Sequence, residues 1–230
     1  MKEVLNSSVF FSVMLTIIGY ELGISLKKKF HYAIFNPLLV DIIFVILVLV
    51  IFDVDYENYN AGAKNLTYLL TPATVCLAIP LYQQFDLLKH NLKAIFAGIV
   101  SGVFTSLGSV FILAYLFGLS HEEYVTLLPK SITTAIGMGV SEQLGGIVTI
   151  TVAAIIITGV FGNMAAEWIL NFFHIKDPVA KGIAIGTAAH AVGTAKALEM
   201  GEIEGAMSSL SITVAGLLTV IGASIFANIL

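Results

Sequence analysis

Apolar and polar positions are sorted along this chain into long apolar runs separated by short charged clusters. A helix crosses a hydrocarbon core with about 20 mostly apolar residues. Val9–Leu26 meets that requirement with one acid, Glu21. Pro37–Phe52 is shorter, intensely apolar, and interrupted by Asp41. Leu66–Gln83 is uncharged but holds Pro72 and Pro80. Ala94–Leu119 and Gly205–Leu230 are long and uncharged, and Leu144–Phe173 carries Glu167 as its one charge. Gly182–Ala195 is short, glycine-rich and uncharged, and contains His190. Val9–Leu26 reads as a permanent helix, because it lacks the strongly basic start and A-x-A cleavage site of a signal peptide.

The clusters between the runs alternate in sign, and lysine bias sets orientation. Lys27–Lys29, Lys89 with Lys93, and Lys176 with Lys181 place their loops inside. Asp53–Glu57, Glu122–Glu123 and Glu199–Glu204 then lie outside, with the N-terminus outside and the C-terminus inside. An odd number of crossings must separate Glu123 from Lys176, and Leu144–Phe173 supplies one. The polar stretch Leu127–Gly146 therefore reads as re-entrant, a form tolerated where it packs in protein or lines a wet cavity. The expected fold is all-α and polytopic, with about seven transmembrane helices plus this re-entrant segment.

The pattern also repeats. Gly102-Val-Phe-Thr105-Ser-Leu-Gly108 matches Gly216-Leu-Leu-Thr219-Val-Ile-Gly222, 114 residues on in a chain of 230. Equivalent loops of the two halves carry opposite charge, which predicts an inverted repeat of halves 1–115 and 116–230 within one membrane domain, 1–230. Inverted repeats with interrupted helices are a recurrent transporter plan with the binding site near the midplane.

Composition narrows the classes. Hydrophobic residues make up 58% and charged residues 11%, against about 25% charged in soluble domains; mean hydropathy is +0.96. A soluble domain and a disordered chain are excluded. The net charge of −4 gives no footprint for nucleic acid. All 11 basic residues are lysines, so no arginine fork exists for bidentate carboxylate recognition. The single cysteine, Cys76, forms no intrachain disulfide, and no Cys/His metal spacing occurs. Phosphate loops, nucleophile elbows and HExxH are absent, so no enzyme and no resident cofactor are expected.

Candidate chemistry sits in three polar islands. In Leu69–Gln83, Pro72 and Pro80 free backbone groups beside Thr71 and Thr74. In Gly186–Lys196, glycines permit a break near Thr187, His190 and Thr194. Broken-helix N-termini suit a carboxylate. In Leu127–Gly146, Lys130, Ser131, Thr133 and Thr134 gather one cation and three hydroxyls, a combination suited to a small anion. His190 is the one histidine inside an apolar run, a candidate proton relay or a helix-to-helix hydrogen-bonder. Glu142 and Lys196 are candidates for coupling or gating, beside a capping role and a snorkelling one. Glu21, Asp41 and Glu167 read as isolated acids. The pairs Gly19/Gly23, Gly98/Gly102 and Gly182/Gly186 suit close helix packing within or between protomers, and a homo-oligomer, favouring a dimer, is expected.

Leu128-Pro-Lys-Ser-Ile-Thr-Thr134, Ser141-Glu-Gln-Leu-Gly-Gly146 and Gly186-Thr-Ala-Ala-His-Ala-Val-Gly-Thr-Ala-Lys-Ala-Leu198, with Glu204-Gly-Ala-Met-Ser-Ser209, resemble the LrgB/CidB family of antiholin-like proteins. The resemblance covers almost the whole chain and departs from the family pattern at Ala135-Ile136-Gly137. It implies a bacterial cytoplasmic membrane location and two functions. One is control of murein hydrolase activity and autolysis with a small holin-like partner of the LrgA/CidA type. The other is carriage of small monocarboxylates such as pyruvate or glycolate, with H+ or Na+ as coupling ion. The interrupted helices and buried polar clusters favour the carrier. Its expected binding residues are Thr71, Thr74, Lys130, Ser131, Thr133, Thr134, Thr187, His190 and Thr194.

Overall fold

A computed structural model describes residues 9–30, 32 and 35–230, which are helical with no strand among them. The chain divides into two compact units, Met1–Cys76 and Leu77–Leu230.

The first unit holds α1 (Val9–Phe30), α2 (Pro37–Phe52), α3 (Tyr56–Thr67) and α4 (Leu70–Cys76). Asn36 starts α2, its side-chain oxygen accepting from the N–H groups of Leu38 and Leu39, with Pro37 following in the first turn. Gly23 packs on the Pro37 backbone and Gly19 on Asp41 and Phe44, so α1 and α2 run antiparallel in close contact. Asp41 is buried at this contact, whereas Glu21 is exposed. The Thr16 and Tyr59 hydroxyls, 2.8 Å apart, tie α1 to α3.

Leu66–Gln83 is not one span. It divides into the end of α3, α4 and α5 (Ala78–Gln83). Pro72 and Pro80 are the third residues of α4 and α5. A missing N–H costs nothing in a first turn, so each proline sits where a helix restarts.

The second unit continues with α6 (Phe85–Phe117), α7 (His121–Leu127), α8 (Thr134–Gln143), α9 (Val148–Phe172), α10 (Pro178–Met200) and α11 (Glu202–Phe226). The 33 residues of α6 make it about 50 Å long. It begins nine residues before the expected Ala94, so Lys89 and Lys93 lie on its first turns rather than in a loop. Ile95, Ile99, Val103, Leu107, Val110 and Ala114 recur every three or four residues and form its buried stripe. Gly118, at φ 64°, ends it in the left-handed conformation that favours glycine. Ser120 and Glu123 then form a capping box that starts α7. Tyr124 closes the core by donating to the Phe226 carbonyl at 3.0 Å. The stretch Leu127–Gly146, expected as one re-entrant element, resolves into the end of α7, a non-helical passage over 128–133, and α8.

Glycine contacts between helices lie within the chain. Gly98 and Gly102 of α6 meet Ile183 and Thr187 of α10. Gly182 and Gly186 of α10 meet the α11 backbone at Glu204 and Ser208. Four described helices are long and apolar enough to cross a membrane: Phe10–Phe30, α6, α9 and α11. Pro37–Phe52 is apolar and shorter. Pro178–Met200 has 23 residues but is broken at Ala189 and His190.

Candidate functional site

The passage 128–133 carries Lys130 and Ser131 against α6 and α10. It does not continue α7 because Pro129 lacks the N–H that would extend the helical hydrogen bonds, although Leu128 before it keeps helical angles. A cavity of about 390 Å³ opens beside it. Lys130 and Ser131 line one side, Ser101, Thr105, Ser106 and Ser109 of α6 another, and Thr187 of α10 a third. Ser101 is the middle residue of α6, so the cavity lies about halfway along that helix.

The hydrogen bonds define what the cavity offers. The Lys130 ammonium donates to Ser131 Oγ at 3.0 Å, and Ser106 Oγ donates to the same oxygen at 3.0 Å. Ser131 Oγ thus accepts twice and keeps its own proton to donate. An ammonium carries three protons, and one of the three on Lys130 is engaged here. No described carboxylate forms an ion pair with it. Thr105, Ser109 and Thr187 return their protons to carbonyls of their own helices, leaving oxygen lone pairs toward the space. A cation with spare N–H groups, a free hydroxyl proton and surrounding hydroxyl oxygens suits a small anion bearing a polar substituent.

The other expected residues lie elsewhere. Thr133 and Thr134 stand at the start of α8 and do not line the cavity. His190 and Thr194 are buried in helix packing. His190 Nε2–H donates to the Ile155 carbonyl of α9 at 3.0 Å. The Thr194 and Ser208 hydroxyls meet at 2.6 Å between α10 and α11. Glu142 is exposed on α8. Lys196 pairs with Glu167 at 2.7 Å and Glu199 at 3.3 Å, so Glu167 is not an isolated acid. The side chains of Thr71 and Thr74 lie outside the described residues.

The break in α10 occurs where the glycine-rich sequence predicts one, and it is unusual. Ala189 (φ −131°, ψ 17°) and His190 (φ 42°, ψ −141°) leave helical geometry. A positive φ on a residue with a side chain is strained. Two contacts from α9 hold it. His190 reaches the Ile155 carbonyl, and Asn163 donates to the Val192 carbonyl at 2.7 Å. Gly159 leaves room for the imidazole.

Sequence reasoning missed Asn163 and the α6 hydroxyls. Ser101, Thr105 and Ser109 recur every four residues in the uncharged part of α6, which places them on one face. That spacing was the available signal. Among the described residues no three of His, Cys, Asp and Glu cluster as metal ligands would.

Long apolar helices around a polar cavity define an all-α polytopic membrane protein. The chain belongs to the LrgB-like family, whose profile matches residues 16–229. It is 40% identical over 213 residues to the antiholin-like protein LrgB of Bacillus cereus strain B4264, covering 92% of this chain and 93% of that one. The antiholin-like protein LrgB of Bacillus anthracis strain CDC 684 / NRRL 3495 matches with the same identity and coverage. No solved structure matches.

Proposed function

We propose that this protein is a secondary transporter of small monocarboxylates of the pyruvate or glycolate type in the bacterial cytoplasmic membrane. The observation that carries the reading is Lys130, which faces a hydroxyl-lined cavity and forms no ion pair among the described residues. An unpaired cation away from bulk water is costly, and an anion that pairs with it recovers that cost. Lys130 and Ser131 bind the carboxylate; the α6 hydroxyls and Thr187 accept from a 2-hydroxy group as they stand, and turn their O–H groups away from the helix carbonyls to donate to a 2-oxo group. Thr133 and Thr134 remain candidates for a second face of the site. His190 acts through the α10 break, Lys196 through its acidic partners, and H+ or Na+ is the coupling ion. The broken helices support the inverted-repeat plan and alternating access.

Saturable uptake of labelled pyruvate, glycolate or lactate into liposomes containing this chain alone is the expected result. Absence of saturable uptake of all three, with and without a holin-like partner, contradicts it.

The antiholin-like name of the relatives favours a second reading, a non-transporting antiholin-like regulator; the family resemblance adds a small holin-like membrane partner and an effect on murein hydrolases. The two readings separate on Lys130→Ala. A regulator keeps its partner complex and its effect on lysis, whereas a carrier loses uptake while the protein stays folded. In the carrier reading, autolysis effects follow indirectly from carboxylate flux or proton-motive force. Assembly as a homodimer fits either.

A further inference from the structure

A second cavity, about 650 Å³, adjoins the Lys130 cavity. The two share Ser101, Gly102, Ala184 and Thr187. Both lie between α6 and α10, which run parallel, since Gly98 faces Ile183 and Gly102 faces Thr187. The larger cavity begins at Leu87 and Asn91 near the start of α6 and at Asp177 and Pro178 at the start of α10. It follows one face of each helix to the Gly102–Thr187 contact, and the Lys130 cavity continues beyond. A β-carbon on Gly102 would stand 2.8 Å from Thr187 Oγ1 and 3.0 Å from its Cβ, so the helices meet here with no spare width.

Lys89, Lys93, Lys176 and Lys181 lie at the starts of these two helices, and the acids at this end are Asp86, Asp177 and, from the start of α11 packed on Gly182, Glu202 and Glu204. The Asp177 carboxylate accepts from the Ala180 N–H as a helix cap. Lysine bias marks this end as cytoplasmic.

We propose that the α6–α10 groove is the cytoplasmic access path to the Lys130 cavity, and that Gly102 with Thr187 forms its gate. That a carboxylate uses the path rests on the function proposed above; the path itself is tested without any solute. In a Cys76→Ser background, Asn91→Cys reports the groove before the gate and Thr105→Cys the cavity beyond it. A membrane-impermeant thiol reagent is applied to either side of sealed vesicles. Both cysteines are expected to react from the cytoplasmic side only. Gly102→Ala slows labelling of Thr105→Cys by about tenfold or more, because the added methyl overfills the contact, and leaves Asn91→Cys unchanged. Adding Thr187→Ala restores the rate. Thr187→Leu narrows the same point from the other helix and gives the same slowing, so the test survives a misfolded Gly102 variant. Labelling of Thr105→Cys from the opposite side, or at a rate indifferent to both variants, overturns the proposal. If the labelling pattern holds and uptake is absent, the path stands and the carboxylate reading falls. If uptake is present and the pattern fails, the path alone falls.

Discussion

His190 shows how one residue can matter without touching a cavity. Its φ of 42° would be easy for glycine, but a side chain makes it strained, and its bond to the Ile155 carbonyl offsets part of that strain. In an ordinary helix, alanine is more stabilising than glycine by about 1 kcal/mol. At this position the order should invert. His190→Ala keeps the strain and loses the bond, whereas His190→Gly loses the bond and relieves the strain. Thermal unfolding in detergent should find His190→Gly the more stable by about 1 kcal/mol; a more stable alanine variant contradicts the observed backbone. Lys130 was legible in the sequence because it is the one basic residue of a hydroxyl-rich stretch between apolar runs. The positive φ was not, since histidine gives no conformational signal of the kind glycine does. The α6 hydroxyls were also hard to see. Serine and threonine in membrane helices commonly bond to their own backbone, as Thr105 and Ser109 do here, and spacing alone does not reveal what faces them.

Among the helices, apolar runs were read well and their ends less well. Val9–Phe30 and Pro37–Phe52 appear close to their expected bounds. The α6 helix runs further because charged residues extend a helix beyond the bilayer with no apolar signature. Leu66–Gln83 broke into pieces because prolines reset the helix, which hydropathy does not register. The start of α7 makes a pH prediction. The Ser120 backbone N–H, and secondarily its hydroxyl, donate to Glu123 and hold that exposed carboxyl below its usual range. A depressed carboxyl stabilises the fold fully above its unfolded pKa, about 4.3 for glutamate, and loses that contribution as pH falls through the folded value. Amide exchange at Ser120, relative to its intrinsic rate, should be slow near neutrality and become fast below about pH 4. Glu123→Gln keeps an acceptor and should lose this pH dependence. Protection that persists unchanged in acid contradicts the cap.

For the whole molecule, composition and hydropathy sufficed for the membrane class and the all-α fold. They did not reveal which polar islands meet, because that depends on packing between distant helices. Lys130, Ser131 and Thr187 share a cavity. His190 and Thr194, close to Thr187 in sequence, turn into the helix interfaces beyond the break. With no arginine in the chain, the proposed carrier meets the anion's charge with one lysine. Equilibrium binding of labelled pyruvate and glycolate to the purified protein, compared with Lys130→Ala at equal folded concentration, tests that claim most directly. Saturable binding of at least one acid is expected, weakened by about tenfold or more in the variant, as loss of a charge-assisted contact implies. Equal binding by both proteins, or saturable binding by neither, contradicts it.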